Sequence, residues 1–201
     1  MKATAIKATE SPMHLVSEAA GMCYGKDDYN PKRVRRCIAN GHTSVAEHVS
    51  ATFRIEGISR SCLAQLTRHR MASFSVMSQR YCTIKGDDWY VMPRSFTDKG
   101  EEVMFEAAMD RAKRDYLHAI EKGVKPEDAR FLLPEATKTS LVMTINVRSL
   151  MNFLSLRLDK SAQWEIRKLA NAMVQALKEI DSEWFELMDL IEEVCNENQR
   201  R

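Results

Sequence analysis

The stretch RHRMASFSVMSQRY, residues 68–81, is the densest in anion-gripping groups of this 201-residue chain. It sets Arg68, His69, Arg70 and Arg80 around Ser73, Ser75 and Ser78. A guanidinium offers a planar fork of N–H donors that matches phosphate, and hydroxyls with loop amides can complete such a site. Taken on charge alone, two arginines at a helix C-terminus are ordinary partners of the helix dipole, and that plainer reading leads. Upstream, GHTSVAEH supplies His42, Ser44, Glu47 and His48, with Gln65 just before the motif. Ser44 to Glu47 has the form of a capping box. His42 and His48, six residues apart, share no helical face, and no cysteine or HExxH pattern joins them, so no metal site is expected. Cys82 follows the motif. A nucleophilic thiol needs a depressed pKa, and Cys82 reads instead as a small buried hydrophobe in a strand, a bystander.

These groups need a frame. Helices are expected from Ser11-Pro12 to about Gly21 and between Asn30-Pro31 and Asn40-Gly41, each opened by a cap residue and proline. Val49, Ala51, Phe53 and Ile55 alternate with polar residues, a half-buried strand that Gly57 should end. ISRSCLAQLTRHR then reads as a helix with Ile58, Cys62 and Leu66 on one stripe, and a second strand is expected near Arg80 to Ile84. Further helices are expected at 101–122 (Met104, Ala108, Ala112, Tyr116 and Ile120), from Glu127 towards Leu133, at 148–158 and at about 161–195. In the last, Leu169, Met173, Leu177 and Ile180 fall at core spacing. The result is a single α+β domain over 1–201, with a small, mainly antiparallel sheet and several long helices.

Composition excludes several classes. Charged residues make up 29 % yet leave a net charge of only +2, unlike a general nucleic-acid binder. Five scattered cysteines without a CxxC pair argue against a disulfide framework and for a reducing cytoplasm. The N-terminus lacks the apolar run of a secretory signal, and no stretch nears the ~18 apolar residues a membrane span needs. Neither GxGxxG nor GxxxxGK[ST] occurs, so a nucleotide must be held another way.

RHR, seven residues, then SxR (here Arg68-His69-Arg70 and Ser78-Gln79-Arg80) resembles the signature of the flavin-dependent thymidylate synthases, also called ThyX. GHTSVAEHVSATFRIEGISRSCLAQLTRHR is similar to the family's segment leading into that motif. ARFLLPEATKTSLVMTINVRSLMNFLSLRLDKSAQWEIRKLA is similar to its other long block, keeping Arg130, Asn146, Arg148, Asn152, Arg157 and AQWEIR. The likeness spans roughly residues 40–195. It implies reductive methylation of dUMP to dTMP, with FAD as cofactor, 5,10-methylene-tetrahydrofolate and NADPH as co-substrates, and tetrahydrofolate released. It also implies a homotetramer with active sites where subunits meet. By resemblance Ser44, Arg68, His69, Arg70, Asn146, Arg148 and Asn152 hold FAD. Gln65, Arg68, Ser78, Gln79, Arg80 and Arg130 hold dUMP, the last two arginines at its phosphate. His42 lies where folate meets the flavin. Arg157 is the expected catalytic residue, stabilising charge on the N3–C2–O2 edge of the pyrimidine so that C5 becomes more nucleophilic. Val76 departs from the family's usual Glu or Gln and cannot accept a hydrogen bond. Two rivals stand beside this reading: a non-catalytic nucleotide- or RNA-binding protein, and a flavin reductase acting on another substrate.

Overall fold

The computed structural model describes residues 1–84 and 86–199, with side chains as far as Asn196. Its sheet has four strands, β1 (Lys2–Ala8), β2 (Ser50–Ser59), β3 (Ala72–Val76) and β4 (Lys138–Asn146). They lie in the order β1-β2-β4-β3, every neighbouring pair antiparallel. Alternation decides which face is covered. Ala51, Phe53 and Ile55 of β2 and Thr139, Leu141, Met143 and Ile145 of β4 are buried, whereas Arg54, Glu56 and Thr144 point away. On that outer face the hydroxyls of Thr52 and Thr144 meet at 2.9 Å.

Helices α1 (Pro12–Met22), α2 (Pro31–Ala39), α6 (Val147–Arg157), α7 (Trp164–Lys178) and α8 (Ser182–Gln199) gather on the apolar side. Met13, Val34, Ile38, Leu150, Phe153, Leu154, Leu169, Met173, Trp184 and Met188 close the core against the sheet. Between strands β2 and β3 runs α3 (Arg60–Leu66), while α4 (Lys99–Glu121) and α5 (Pro126–Ala129) precede β4.

Several expectations are corrected. The second strand is Ala72–Val76, inside the motif, and Arg80 to Ile84 form a turn and coil instead. Ala72, Phe74 and Val76 provide the alternating apolar set that Tyr81 and Cys82, both exposed, do not. Cys82 is therefore neither buried nor in a strand. Gly57 does not end β2: at φ 72° it forms a bulge, shifting the register between Glu56 and Ile58 so that Ile58 and Ser59 both turn inward. The helix after it starts at Arg60. The expected helix over 161–195 is two, because Asp181 accepts a bond from the Trp184 N–H at 2.8 Å and starts α8 afresh. Ile180 in the break is 41 % exposed, outside the core. On α4, Met109 and Tyr116 are the buried pair, and Met104 and Ala108 face out. Ser11 does not cap α1. Glu183 does so from α8, accepting from the N–H groups of Met13 (3.0 Å) and His14 (3.3 Å).

One buried carboxylate ties the helical layer to the sheet. Glu165, 2 % exposed near the start of α7, accepts from the Ser59 N–H at 2.8 Å and the Ser59 hydroxyl at 2.5 Å. The same hydroxyl oxygen accepts from the Cys62 N–H at 2.9 Å, capping α3. Replacing Glu165 by Ala strands the buried donors of Ser59 and should cost about 1–3 kcal/mol. Urea denaturation should register this as a lower midpoint with an unchanged slope.

Candidate functional site

Strand order brings the motif to its place. Ser50 of β2 pairs with Asn146 and Ser59 with Lys138, so β2 runs from the Asn146 end of β4 to its Lys138 end. Helix α3 then returns, and β3 starts again beside Ile145. Arg68, His69 and Arg70, between α3 and β3, thus arrive where β4 passes directly into α6. There they line one cleft of about 800 Å³ together with Glu47, Asn146, Arg148, Asn152 and Arg157.

The cleft holds four arginines against one carboxylate, Glu47. Its wall includes the first turn of α6, where backbone N–H groups and the dipole favour an anion. Asn146 caps that turn, its side-chain oxygen accepting from the Ser149 N–H at 2.8 Å. Met71, Ile145 and Leu156 supply apolar lining against which a flat ring can lie. Size, charge and lining therefore fit a dinucleotide bearing an aromatic ring system and a diphosphate.

Arg157 is fixed from two sides. Its Nε donates to Nε2 of His69 at 3.0 Å, and an Nη donates to the Gln65 carbonyl at 3.4 Å. His69 in turn sets its edge on Phe153, ring centroids 4.8 Å apart. Acceptance at Nε2 requires a neutral imidazole with its proton on Nδ1. The surroundings favour that form: burial first, then the charges of Arg157 and Arg68, push the His69 pKa below its ordinary value.

A second cluster forms at the other end of β4. Arg80 Nε donates to the Glu127 carboxylate at 2.7 Å, and Arg130 Nε donates to the Glu127 carbonyl at 2.9 Å. Arg60, at the start of α3, donates to the Met77 carbonyl at 2.9 Å, while its Nε is buried without a partner among the described residues. Burial, and next the Arg130 charge, lower the Arg60 pKa, partly offset by Glu135. Three guanidiniums held this close, one with an unspent donor, are suited to an anion.

The residues expected from sequence therefore divide. Arg68, His69, Arg70, Asn146, Arg148, Asn152 and Arg157 share the main cleft. Arg80 and Arg130 meet at Glu127, with Ser78 Oγ accepting from the Arg80 N–H at 3.2 Å and Gln79 half-buried in the turn between them. Gln65 is half-buried and meets Arg157 through its carbonyl. Ser44 and His42 are exposed and outside the main cleft of their own chain. The expected Ser44 capping box does not form: residues 43–48 make a 3-10 turn with no side-chain cap. Val76 packs against the core. Among the described residues no His, Cys, Asp and Glu group could hold a metal.

Arg60 and Glu127 escaped the sequence reading. A signal existed for Arg60: a cation in the first turn of a helix opposes the dipole, and Arg60 and Arg148 both stand there.

Fold and cleft define an α+β protein built to take an anionic, ring-bearing ligand. Residues 4–181 match the family model described as "Thymidylate synthase complementing protein". The chain is 42 % identical over 192 residues to a flavin-dependent thymidylate synthase of Geobacter sulfurreducens, covering 89 % of this chain and 82 % of the relative. With the enzyme of that name from Halobacterium salinarum it shares 35 % identity, covering 94 % and 95 %. A crystal structure of the Helicobacter pylori flavin-dependent thymidylate synthase ThyX, complexed with FAD and dUMP, superposes with TM-score 0.77. It is 28 % identical and the match covers 96 % of this chain and 99 % of that one. The chain belongs to the flavin-dependent thymidylate synthase family.

Because the folded state prefers neutral His69, its contribution to stability is full above the unfolded pKa of about 6.5. It is lost as pH falls from there through the lower folded value. Arg157→Met removes the second cause of the shift. In a pH titration followed by NMR, the His69 resonance of that variant should move at a higher pH than in the parent protein.

Proposed function

We propose that this chain is, over residues 1–201, one catalytic domain that converts dUMP to dTMP with FAD, 5,10-methylene-tetrahydrofolate and NADPH. One observation carries this reading: the RHR segment, the first turn of α6 and Arg157 converge on a single cleft although about 90 residues separate them. In it, Arg68, Arg70, Arg148 and the α6 N–H groups would hold the cofactor's diphosphate. His69, Asn146 and Asn152 would fix its orientation. Bound FAD supplies the two-electron redox chemistry; the protein supplies position and field.

The Arg80–Arg130 cluster, with Arg60 added, is suited to the phosphate of dUMP, with Ser78 and Gln79 beside it, while Gln65, next to Arg157, would meet the pyrimidine end. Within one chain the two clusters sit at opposite ends of the nine-residue β4, eight steps or roughly 27 Å apart at the usual rise. That is too far for one nucleotide to touch both. Sites shared between subunits of a homotetramer resolve this, and they also give the exposed Ser44 and His42 a ligand, with His42 facing the folate. Arg157 would stabilise charge on the pyrimidine edge, presented in one orientation by the His69 bond. No helix among the described residues is long and apolar enough to cross a membrane, in keeping with work in the cytoplasm.

The test is the visible spectrum of the purified protein, reduced by NADPH with and without dUMP. Flavin bands and faster reduction with dUMP support the synthase. Flavin indifferent to dUMP would favour a reductase, and failure to bind added FAD would favour a nucleotide-binding protein. Arg157→Lys keeps the charge but not the fork held by His69 and Gln65. It should lower kcat by about 100-fold, the scale of one oriented oxyanion donor, measured as dTMP formed.

A further inference from the structure

The wall of the main cleft continues past α6. Arg148 and Asn152 also border a second depression of about 420 Å³. Asn40 carries that depression into a third, of about 500 Å³, over α2. Shared lining residues set the three depressions side by side along the surface.

The far segment is basic. Lys26, Lys32, Arg33, Arg36 and His42 line it, and no carboxylate does. Lys32 and Arg36, four residues apart on α2, share a helical face. Both are exposed, and neither forms an ion pair among the described residues, whereas Arg33 and Arg35 do.

Arg33 is spent on structure. Its guanidinium donates to the Ser17 carbonyl (3.3 Å), the Asp28 carbonyl (3.2 Å) and the Asp28 carboxylate (2.6 Å), clamping the loop between α1 and α2. Gly21 makes room for this: a Cβ there would meet the Lys26 carbonyl oxygen at 2.3 Å and Arg33 Nη1 at 2.5 Å. The floor of this depression is therefore held in place. Asp28, in the loop before α2, is already neutralised by Arg33, which holds its carboxyl below the usual range. A cation in the last turn suits a helix dipole, which explains Arg36 alone. It explains neither Lys32 one turn earlier nor a concave surface in line with the main cleft.

We propose that this basic segment binds the anionic extension of a ligand whose reactive end lies in the main cleft. The assignment rests on the synthase reading above. Two of its ligands carry such an extension: a folate, whose γ-glutamate tail adds one carboxylate per unit, and NADPH, whose 2′-phosphate distinguishes it from NADH. Either lays carboxylate or phosphate oxygens along Lys32 and Arg36.

The test uses the FAD-loaded enzyme and the charge-neutral double variant Lys32→Gln/Arg36→Gln, both positions being exposed and outside the reaction site. KM is measured for mono- and poly-γ-glutamylated methylene-tetrahydrofolate, and for NADPH and NADH. Two surface ion pairs should give the parent enzyme a KM about fivefold lower for the polyglutamate. The variant should lose that advantage while its kcat with the monoglutamate is unchanged. Loss of the preference for NADPH instead would support the site with phosphate as its anion. If neither preference changes, the proposal is overturned. Weaker FAD binding by the variant also overturns it, placing the cofactor's own diphosphate there. Absence of dTMP from the parent enzyme with the monoglutamate would sink the synthase reading and this proposal with it, a failure told apart by the parent's turnover alone.

Discussion

Strand β4 is hydrogen-bonded on both flanks, to β2 on one side and β3 on the other, and both arginine clusters hang from its ends. At its C-terminal end the chain passes without a loop into α6, so Asn146 is both the last strand residue and the helix cap. At its N-terminal end Thr137 accepts from the Arg60 N–H at 3.0 Å, and Ser140 accepts from the Met77 N–H at 2.9 Å. The register of one strand therefore fixes where α6 opens its first turn and where Arg60 and the segment after β3 are held. A slip by one residue would turn Leu141, Met143 and Ile145 out of the core.

Polar ties then orient the helices that β4 only places. Glu165 holds Ser59, Ser59 caps α3, and α3 ends in the segment carrying Arg68 and His69. His69 closes the circuit by accepting from Arg157 at the end of α6. Burial favours the neutral thiol at the two buried cysteines: the Cys62 pKa is pushed up to about 12 and that of Cys195 to about 11. Reactivity in this region is left to charge and orientation.

Much of this was legible in the sequence. Proline with a preceding cap residue located α1 and α2, and the Val49–Ile55 alternation located β2. Strand β4 was not among the expected elements: Thr139, Leu141, Met143 and Ile145 are its buried set, but Val142 makes Leu141 to Met143 a continuous apolar run that blurs the alternation. Strand β1 was missed for a physical reason: Ala3 and Ala5 give a weak apolar signal, and Ile6 is 46 % exposed. The main cleft was legible through its arginines and asparagines. Arg60 was not, since its role depends on Arg80 and Arg130 reaching the same end of a strand that lies more than 70 residues downstream.

Strand β3 has one partner in the sheet, and that partner is β4. During synthesis the motif therefore leaves the ribosome some 60 residues before the strand that will dock it. Until then β3 is an edge with no ladder to join, and the cleft has one wall. Assembly of the site is bound to a late, long-range pairing rather than to local helix formation, which is the slow kind of contact. Ligand competence and completion of the sheet thus become one event, and a chain interrupted before β4 has no half-formed cleft with which to capture a nucleotide.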